Sequence, residues 1–328
     1  MKIGIAFDTL DMYNLDETNG LHYDFAELAA INVLKQEIEA LGYQTELLQN
    51  TESIMQSIIG GTFSCDLVYN TVEGLSSRNR EGLLPALLEI NKIPYVGTDA
   101  FGLSLTLNKY MTKMLAESLG ILTPAHFAAA PYHSQDFIFE RLNTLRLPLI
   151  LKPNFEGNSS GICVCDSYNV ATEQVIHMLK EYHSIILCEE FIMGQEITVP
   201  IIGNDHEDIL FGVTTVNIQR NDSFWLDSNS KIFGDYQNII LEISDTLKQQ
   251  FKETSLKLFN RIGCCDFARF DYRLTRNNEI YFIEVNPLPA LFHNGSFDIV
   301  GQQYGLTFAD TLNLIITTAC KRLAIPRT

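Results

Sequence analysis

Arg269, Asp271, Glu284 and Asn286 are the residues of this 328-residue chain whose types and spacing point most directly to chemistry. They lie in two apolar runs that read as β-strands, Phe267–Leu274 and Ile280–Asn286, joined by the turn-like Thr275-Arg276-Asn277-Asn278. Side chains alternate along a strand, so Arg269 and Asp271 share one face. By the same rule Phe282, Glu284 and Asn286 share a face of the second strand. Folding the hairpin at its Asn-rich turn sets Glu284 across from Arg269 and diagonal to Asp271. Carboxylates and an amide oxygen suit a hard cation such as Mg2+, which keeps waters and takes further oxygens from a nucleotide. The plain alternative is a solvated sheet face with a surface ion pair worth about 0–1 kcal/mol.

Two further segments carry weaker signals. In Leu149-Ile150-Leu151-Lys152-Pro153-Asn154-Phe155-Glu156-Gly157-Asn158-Ser159-Ser160-Gly161 an apolar strand delivers a lysine and then a small-residue loop. Gly157 and Gly161 permit unusual backbone angles, and N–H groups exposed in such a loop can cradle phosphate oxygens. No Gly-Lys-Ser/Thr follows, so this is not a Walker loop, and a hairpin turn is the simpler reading. In Ile186–Glu196 a strand end beside Phe191 and Ile192 offers backbone donors and acceptors to a purine, and Glu196 could take ribose hydroxyls. Alone, that segment is an acidic linker.

The elements that must position these residues follow from hydrophobic period. Ile3–Phe7 reads as a buried strand, followed by a helix with Leu28, Ile31, Leu34, Ile38 and Leu41 on one face and Gly42 as its stop. Strands at Tyr43–Leu48, Asp66–Tyr69 and Ile93–Val96, with a helix at Glu81–Ile90, give the β–α–β alternation of a parallel sheet. A helix at Lys109–Leu119 leads to a small α+β unit with strands at Leu149–Lys152, Ile162–Cys165 and Ile185–Cys188 and a helix near Val170–Glu181. Further strands, a polar stretch at Asn221–Asp235, a helix carrying Leu247, Phe251, Leu258 and Ile262, the hairpin and a helix near Phe308–Leu323 complete it. The expected fold class is α/β (α+β) in three modules, divided at 1–107, 108–192 and 193–328.

Composition narrows the partners. Lys+Arg number 23 against 40 Asp+Glu, a net charge of −17 that argues against nucleic acid or an anionic membrane surface. Any phosphate ligand must therefore be held by a few local cations. Seven cysteines without a CxxC pair, and no apolar stretch of about 18 residues, point to reduced thiols and a cytoplasmic protein. HExxH and an N-terminal GxGxxG are absent, which removes zinc proteases and dinucleotide folds.

Taken in order, these segments resemble the ATP-grasp ligases, most closely the D-alanine–D-alanine ligase family. The resemblance runs from Val68-Tyr69-Asn70 and Ile93-Pro94-Tyr95-Val96-Gly97 through Asn108-Lys109, Leu151-Lys152-Pro153 and Glu156–Gly161. It ends at Ala268-Arg269-Phe270-Asp271 and Ile283-Glu284-Val285-Asn286-Pro287. It implies ATP bound between the central and C-terminal modules with two Mg2+ ions, for which Mn2+ could substitute. Lys109, Lys152 and the Gly157-Asn158-Ser159 loop would hold phosphates, and Lys231 would close over them from a mobile loop. Glu189, Glu190, Phe191 and Ile192 match the adenine hinge and Glu196 the ribose carboxylate. Asp271, Glu284 and Asn286 match the metal ligands, and Arg269 the arginine that stabilises the reaction intermediates. The implied chemistry is phosphorylation of one carboxylate followed by attack of a second molecule's amine.

The departures gather on the amino-acid side. Glu73 stands where the family pattern has a histidine, and Ile232 where it has a tyrosine. Asn158 replaces the first serine of the glycine loop, and Ala290 occupies the position of the oxyanion-hole glycine. The glutamate that pairs with the first ammonium finds no match in Asp8–Gly20, leaving Asp24 or Glu27 as stand-ins, and Ser296 only loosely matches the acceptor-carboxylate serine. The expectation is an ATP-dependent carboxylate–amine ligase with altered amino-acid specificity. An ordinary D-alanine–D-alanine ligase and a catalytically silent ATP-binding regulator are the alternatives. Small amino-acid, amine or carboxylate substrates are the expected partners, and a homodimer is compatible with this reading.

Overall fold

The computed structural model describes residues 1–15, 25, 27–75, 77–157, 161–205, 208–218 and 236–326. The first sheet is parallel, in the order β2-β1-β3-β4, from β1 (Lys2–Ala6), β2 (Gln44–Gln49), β3 (Leu67–Asn70) and β4 (Tyr95–Val96). Strand β3 is buried along its whole length and β1 nearly so, as expected where helices cover both faces of a parallel sheet. Helix α1 (Leu28–Ala40) buries Ile31, Leu34 and Ile38 at steps of three and four. The helices α2 (Thr51–Ile59), α3 (Leu83–Ile90) and α4 (Ala100–Leu107) follow, α2 and α4 capped by Asn50 and Asp99 side chains.

The second sheet, in the order β5-β8-β6-β7, is antiparallel: β5 (His126–Ala129), β6 (Leu149–Pro153), β7 (Cys163–Cys165) and β8 (Ile186–Glu190). Helix α5 (Lys109–Ser118) precedes it, and α6 (Gln135–Leu142) and α7 (Tyr168–Tyr182) supply Ile138, Leu142, Val175 and Met178 to its core.

The third sheet runs β12-β11-β9-β13-β14, with β10 also on β9. Its strands are β9 (Gln195–Ile202), β10 (Leu210–Phe211), β11 (Thr214–Ile218), β12 (Tyr236–Ile240), β13 (Phe267–Leu274) and β14 (Ile280–Asn286). Helix α8 (Asp245–Ile262) covers one face with Phe251, Leu258 and Ile262, and that contact decides which way β13 points. Ala268, Phe270, Tyr272 and Leu274 go into this core, so alternation sends Arg269, Asp271 and Arg273 to the opposite face. After the hairpin come α9 (Ser296–Gln303) and α10 (Phe308–Arg322). The last helix returns to the first layer, where Leu312, Ile315 and Ile316 join Ile3, Ile5 and Ile31 in one core.

Candidate active site

The hairpin differs in register from its simplest reading. Arg269 pairs with Asn286 and Asp271 with Glu284, but Tyr272 pairs with Phe282, so Ile283 is an extra residue at a β-bulge. Glu284 therefore lies across from Asp271, not from Arg269. Phe282 does not share the face of Glu284 and Asn286 either; it is fully buried with Val285 in the core under α8. The bulge lets one strand send an aromatic ring into the core and still present Glu284 and Asn286 beside Arg269 and Asp271.

Each anion on this face meets a cation. Asp271 accepts from Arg269 Nε at 3.1 Å and from its terminal NH2 at 2.9 Å, and from the Thr198 hydroxyl at 3.1 Å. Glu284 lies 2.9 Å from Lys109 Nζ. The Lys109 ammonium, helped by Lys152 and Arg269, holds the Glu284 carboxyl well below the usual carboxylate range against the opposing effect of burial. Burial pulls Lys109 down, but Glu284 outweighs it and Lys109 is raised. Asn286 Oδ1 accepts the Leu288 N–H at 2.9 Å.

Buried Asn154 joins Lys109 and Lys152 to one frame. Its side chain accepts the Tyr110 N–H at 2.8 Å and donates to Asn108 Oδ1 at 2.8 Å, while its carbonyl accepts the Lys109 N–H. The end of β6, which carries Lys152, is thus fastened to the start of α5, which carries Lys109. Behind them Glu189 contacts Lys113 through Oε1 and Lys152 through Oε2, each at 2.5 Å. Burial pulls Lys113 down to about 8 against the attraction of Glu189. Burial raises the Glu189 carboxyl, but Lys113 and Lys152 outweigh it and hold it low.

The carboxylates of Glu189 and Glu190 are thus committed inside the protein. Glu190 accepts from the Arg146 main chain at 2.9 Å and from its guanidinium at 2.9 and 3.0 Å. What this segment can offer a purine is its backbone and the side chains of Phe191 and Ile192. Glu196 pairs with Arg273 at 2.5 Å, and the Arg273 guanidinium lies 5.6 Å from the centre of the Phe191 ring. A Cβ at Gly194 would sit 2.4 Å from the Leu274 carbonyl, so only glycine fits there without a shift.

On the N-terminal side, buried Asp8 accepts from Glu73 N at 3.1 Å, Gly74 N at 2.7 Å and the Tyr13 hydroxyl at 3.0 Å. Burial raises its carboxyl despite those donors. Gly74, at φ +72°, lets the loop lie against Arg80, whose carbonyl a Cβ would approach to 2.8 Å. The buried Arg80 in turn donates to the Phe155 carbonyl at 2.8 Å, at the foot of the glycine loop. Gly157 is half-buried two residues further on. Glu27 is exposed at the start of α1, Ala290 is exposed beyond β14, and Ser296 opens α9. Among the described residues, no hydrogen bond or ion pair joins these three to the Arg269–Asp271–Glu284 face. Asp24, Asn158, Ser159, Lys231 and Ile232 lie outside the described residues.

Sequence reasoning missed Asp8, Arg80, Lys113, Asn154 and Arg273. Two of them left a usable trace: Lys113 lies one turn after Lys109 on a helix, and Arg273 continues the alternation of Arg269 and Asp271. Among the described residues no group of three or more His, Cys, Asp or Glu side chains gathers as a metal cage. Asp271 and Glu284 with the Asn286 amide fit a Mg2+ that completes its shell from phosphates and water.

The chain is similar to known proteins in sequence and in fold. Residues 118–317 match the family described as D-ala D-ala ligase C-terminus. The chain is 31% identical over 242 residues to a D-alanine--D-alanine ligase of Carboxydothermus hydrogenoformans, covering 72% of this chain and 76% of that one. Its fold is that of a D-alanine--D-alanine ligase from Bacillus anthracis crystallised with ATP (TM-score 0.78, 19% identity, 98% of each chain). It is also that of the VanG D-Ala:D-Ser ligase from Enterococcus faecalis (TM-score 0.74, 19% identity, 97% of this chain and 99% of that one). The chain belongs to the D-alanine–D-alanine ligase family, whose members are ATP-dependent ligases that form C–N bonds.

Proposed function

We propose that this ligase activates one amino-acid carboxylate as an acyl phosphate, joins it to a second amine, and prefers a pair other than two D-alanines. The observation that carries the ligase reading is the placing of Asp271 opposite Glu284, with Arg269 and Lys109 already paired to them. In the first step a carboxylate oxygen attacks the γ-phosphorus of ATP and ADP leaves. In the second, the amine nitrogen attacks the acyl carbon, the C–O bond to phosphate breaks, and the amine loses a proton. Lys109 and Lys152 would hold the triphosphate, Lys231 and the Gly157-Asn158-Ser159 loop would close over it, and Glu196 would take the ribose. Arg269 would face charge that builds on the transferring phosphoryl and on the tetrahedral carbon. Asp271, Glu284 and Asn286 would hold two Mg2+ ions, which neutralise phosphate charge when bound. The segments 1–107, 108–192 and 193–328 would serve as substrate-side, central and metal-bearing units.

The specificity reading rests on the N-terminal side. Asp8 fixes the backbone of Glu73, so the chain presents a carboxylate where the family has an imidazole. That favours a cationic or amine-bearing substrate, with Asp24, Glu27 and Ser296 as further candidate contacts and Ala290 narrowing the approach to the reacting carbonyl. The identity to curated D-alanine--D-alanine ligases favours the ordinary pair instead. Phosphate release with ATP, Mg2+ and a panel of D- and L-amino acids, with products weighed by mass spectrometry, decides. D-alanyl-D-alanine formed more efficiently than any other product would overturn the altered specificity and leave the ligase reading standing.

A further inference from the structure

Lys113 is a charged side chain that the chemistry above does not use. It is fully buried, one helical turn after Lys109, among three elements from different parts of the chain. Glu189 of β8 meets its ammonium at 2.5 Å, the Phe282 carbonyl of β14 lies at 3.5 Å, and the charges of Lys152 and Glu284 also reach it. Glu189 is 1% exposed and Lys152 6%, so this row of charges is out of water. A buried carboxylate needs a partner, but Lys152 alone would supply one. A second buried ammonium is costly unless its charge is needed.

Charge arithmetic shows what it changes. Glu189 with Lys152 alone sums to zero, and a phosphate approaching Lys152 would meet a neutralised pair. With Lys113 on the other carboxylate oxygen, the three groups sum to +1. We infer that Lys113 is a positioning residue: by taking one oxygen of Glu189 it keeps Lys152 net positive and aimed, so that the lysine can bind a nucleotide phosphate. This rests on the proposal that Lys152 faces those phosphates. It predicts that Lys113 and Glu189 are coupled with a sign that a purely structural strut would not give.

The test measures, by calorimetry, the affinity of the full chain for β,γ-imido-ATP with Mg2+, beside the melting temperature of each variant. Lys113→Met should weaken binding by about tenfold to a hundredfold, the loss of one charged contact. Adding Glu189→Gln removes the anion and restores the +1 sum. Affinity should return to within about threefold of wild type, whatever happens to the melting temperature. Wild-type affinity in Lys113→Met, or a double variant that binds more weakly than either single one, would overturn the inference. If Lys113→Met does not fold, Glu189→Gln alone decides: its sum is +2, and it should bind the probe no more weakly than wild type. Weaker binding there would also overturn the inference. A wild-type chain that does not bind the probe removes the nucleotide reading itself, a result distinct from any of these.

Discussion

The two halves of the candidate site hold charge in different ways. On α5, β6, β8, β9, β13 and β14, Asp271 is held by Arg269, Glu284 by Lys109, Glu189 by Lys113 and Lys152, and Glu196 by the neighbouring strand's Arg273. Five cations thus face four anions in a chain whose net charge is −17. On the N-terminal side Asp8 is met by two backbone N–H groups and a phenol. Ion pairs can exchange partners: a divalent ion can take Glu284 while Lys109 turns to a phosphate, with few groups having to move. Backbone donors cannot leave, so the Asp8 anchor fixes the shape of a loop. One half consists of ion pairs open to exchange, and the other fixes the backbone of Glu73 and Gly74.

Breaking the exchangeable half should have the largest effect. Glu284→Ala removes a carboxylate proposed to face the metal and breaks the Lys109 ion pair. Turnover with the substrate pair found in the panel should fall by about 10³ or more, with the far-ultraviolet circular dichroism unchanged. A variant retaining a tenth of wild-type activity would remove Glu284 from the metal site.

How far the sequence reveals these halves depends on whether a residue's partners are local. Strands β13 and β14 are bounded in the structure as their alternation predicts, Phe267–Leu274 and Ile280–Asn286. The bulge at Ile283 is not legible, because an apolar residue in a half-buried strand fits either face. Lysine and carboxylate positions could be matched by motif, but their pairing could not: Lys113 and Glu189 are 76 positions apart, and Arg80 reaches Phe155 from 75 away. Helices α2, α4, α6 and α9 and strand β5 are short segments of four to nine residues with little period to read. In the sequence Asp8 only opens the unmatched segment Asp8–Gly20. Its role appears when β1 and the loop after β3 come together.

A smaller and more selective effect sharpens the other half. Glu73→Gln keeps the loop and its Asp8 anchor, which uses the backbone, and removes the carboxylate. If that carboxylate meets an amine-bearing substrate, KM for that substrate should rise about tenfold to a hundredfold. Affinity for β,γ-imido-ATP should stay within about threefold, since the change lies outside the ion-paired half. Equal loss toward both ligands would mean that Glu73 shapes the whole cleft and does not select the substrate.

The smallest expected effect separates the halves by the sign of their pH dependence. The lysines hold Glu189 below its usual range near pH 4.5. Between that range and the lower folded value, the unfolded chain binds more protons than the folded one. Stability therefore rises with pH across this window, and the contribution is lost as pH falls through the folded value. Asp8 is raised by burial, so its window begins at the usual aspartate range and extends upward. There the folded chain binds more protons, and stability falls as pH rises through the folded value. Glu189→Gln should flatten the acid limb of a melting-temperature profile from pH 3 to 7, and Asp8→Asn should flatten the opposing slope above it. Each change is a loss of slope on its own limb. The two variants must act on opposite limbs. If both flatten the same limb, Asp8 is held by charge as Glu189 is, and the contrast between the two halves fails.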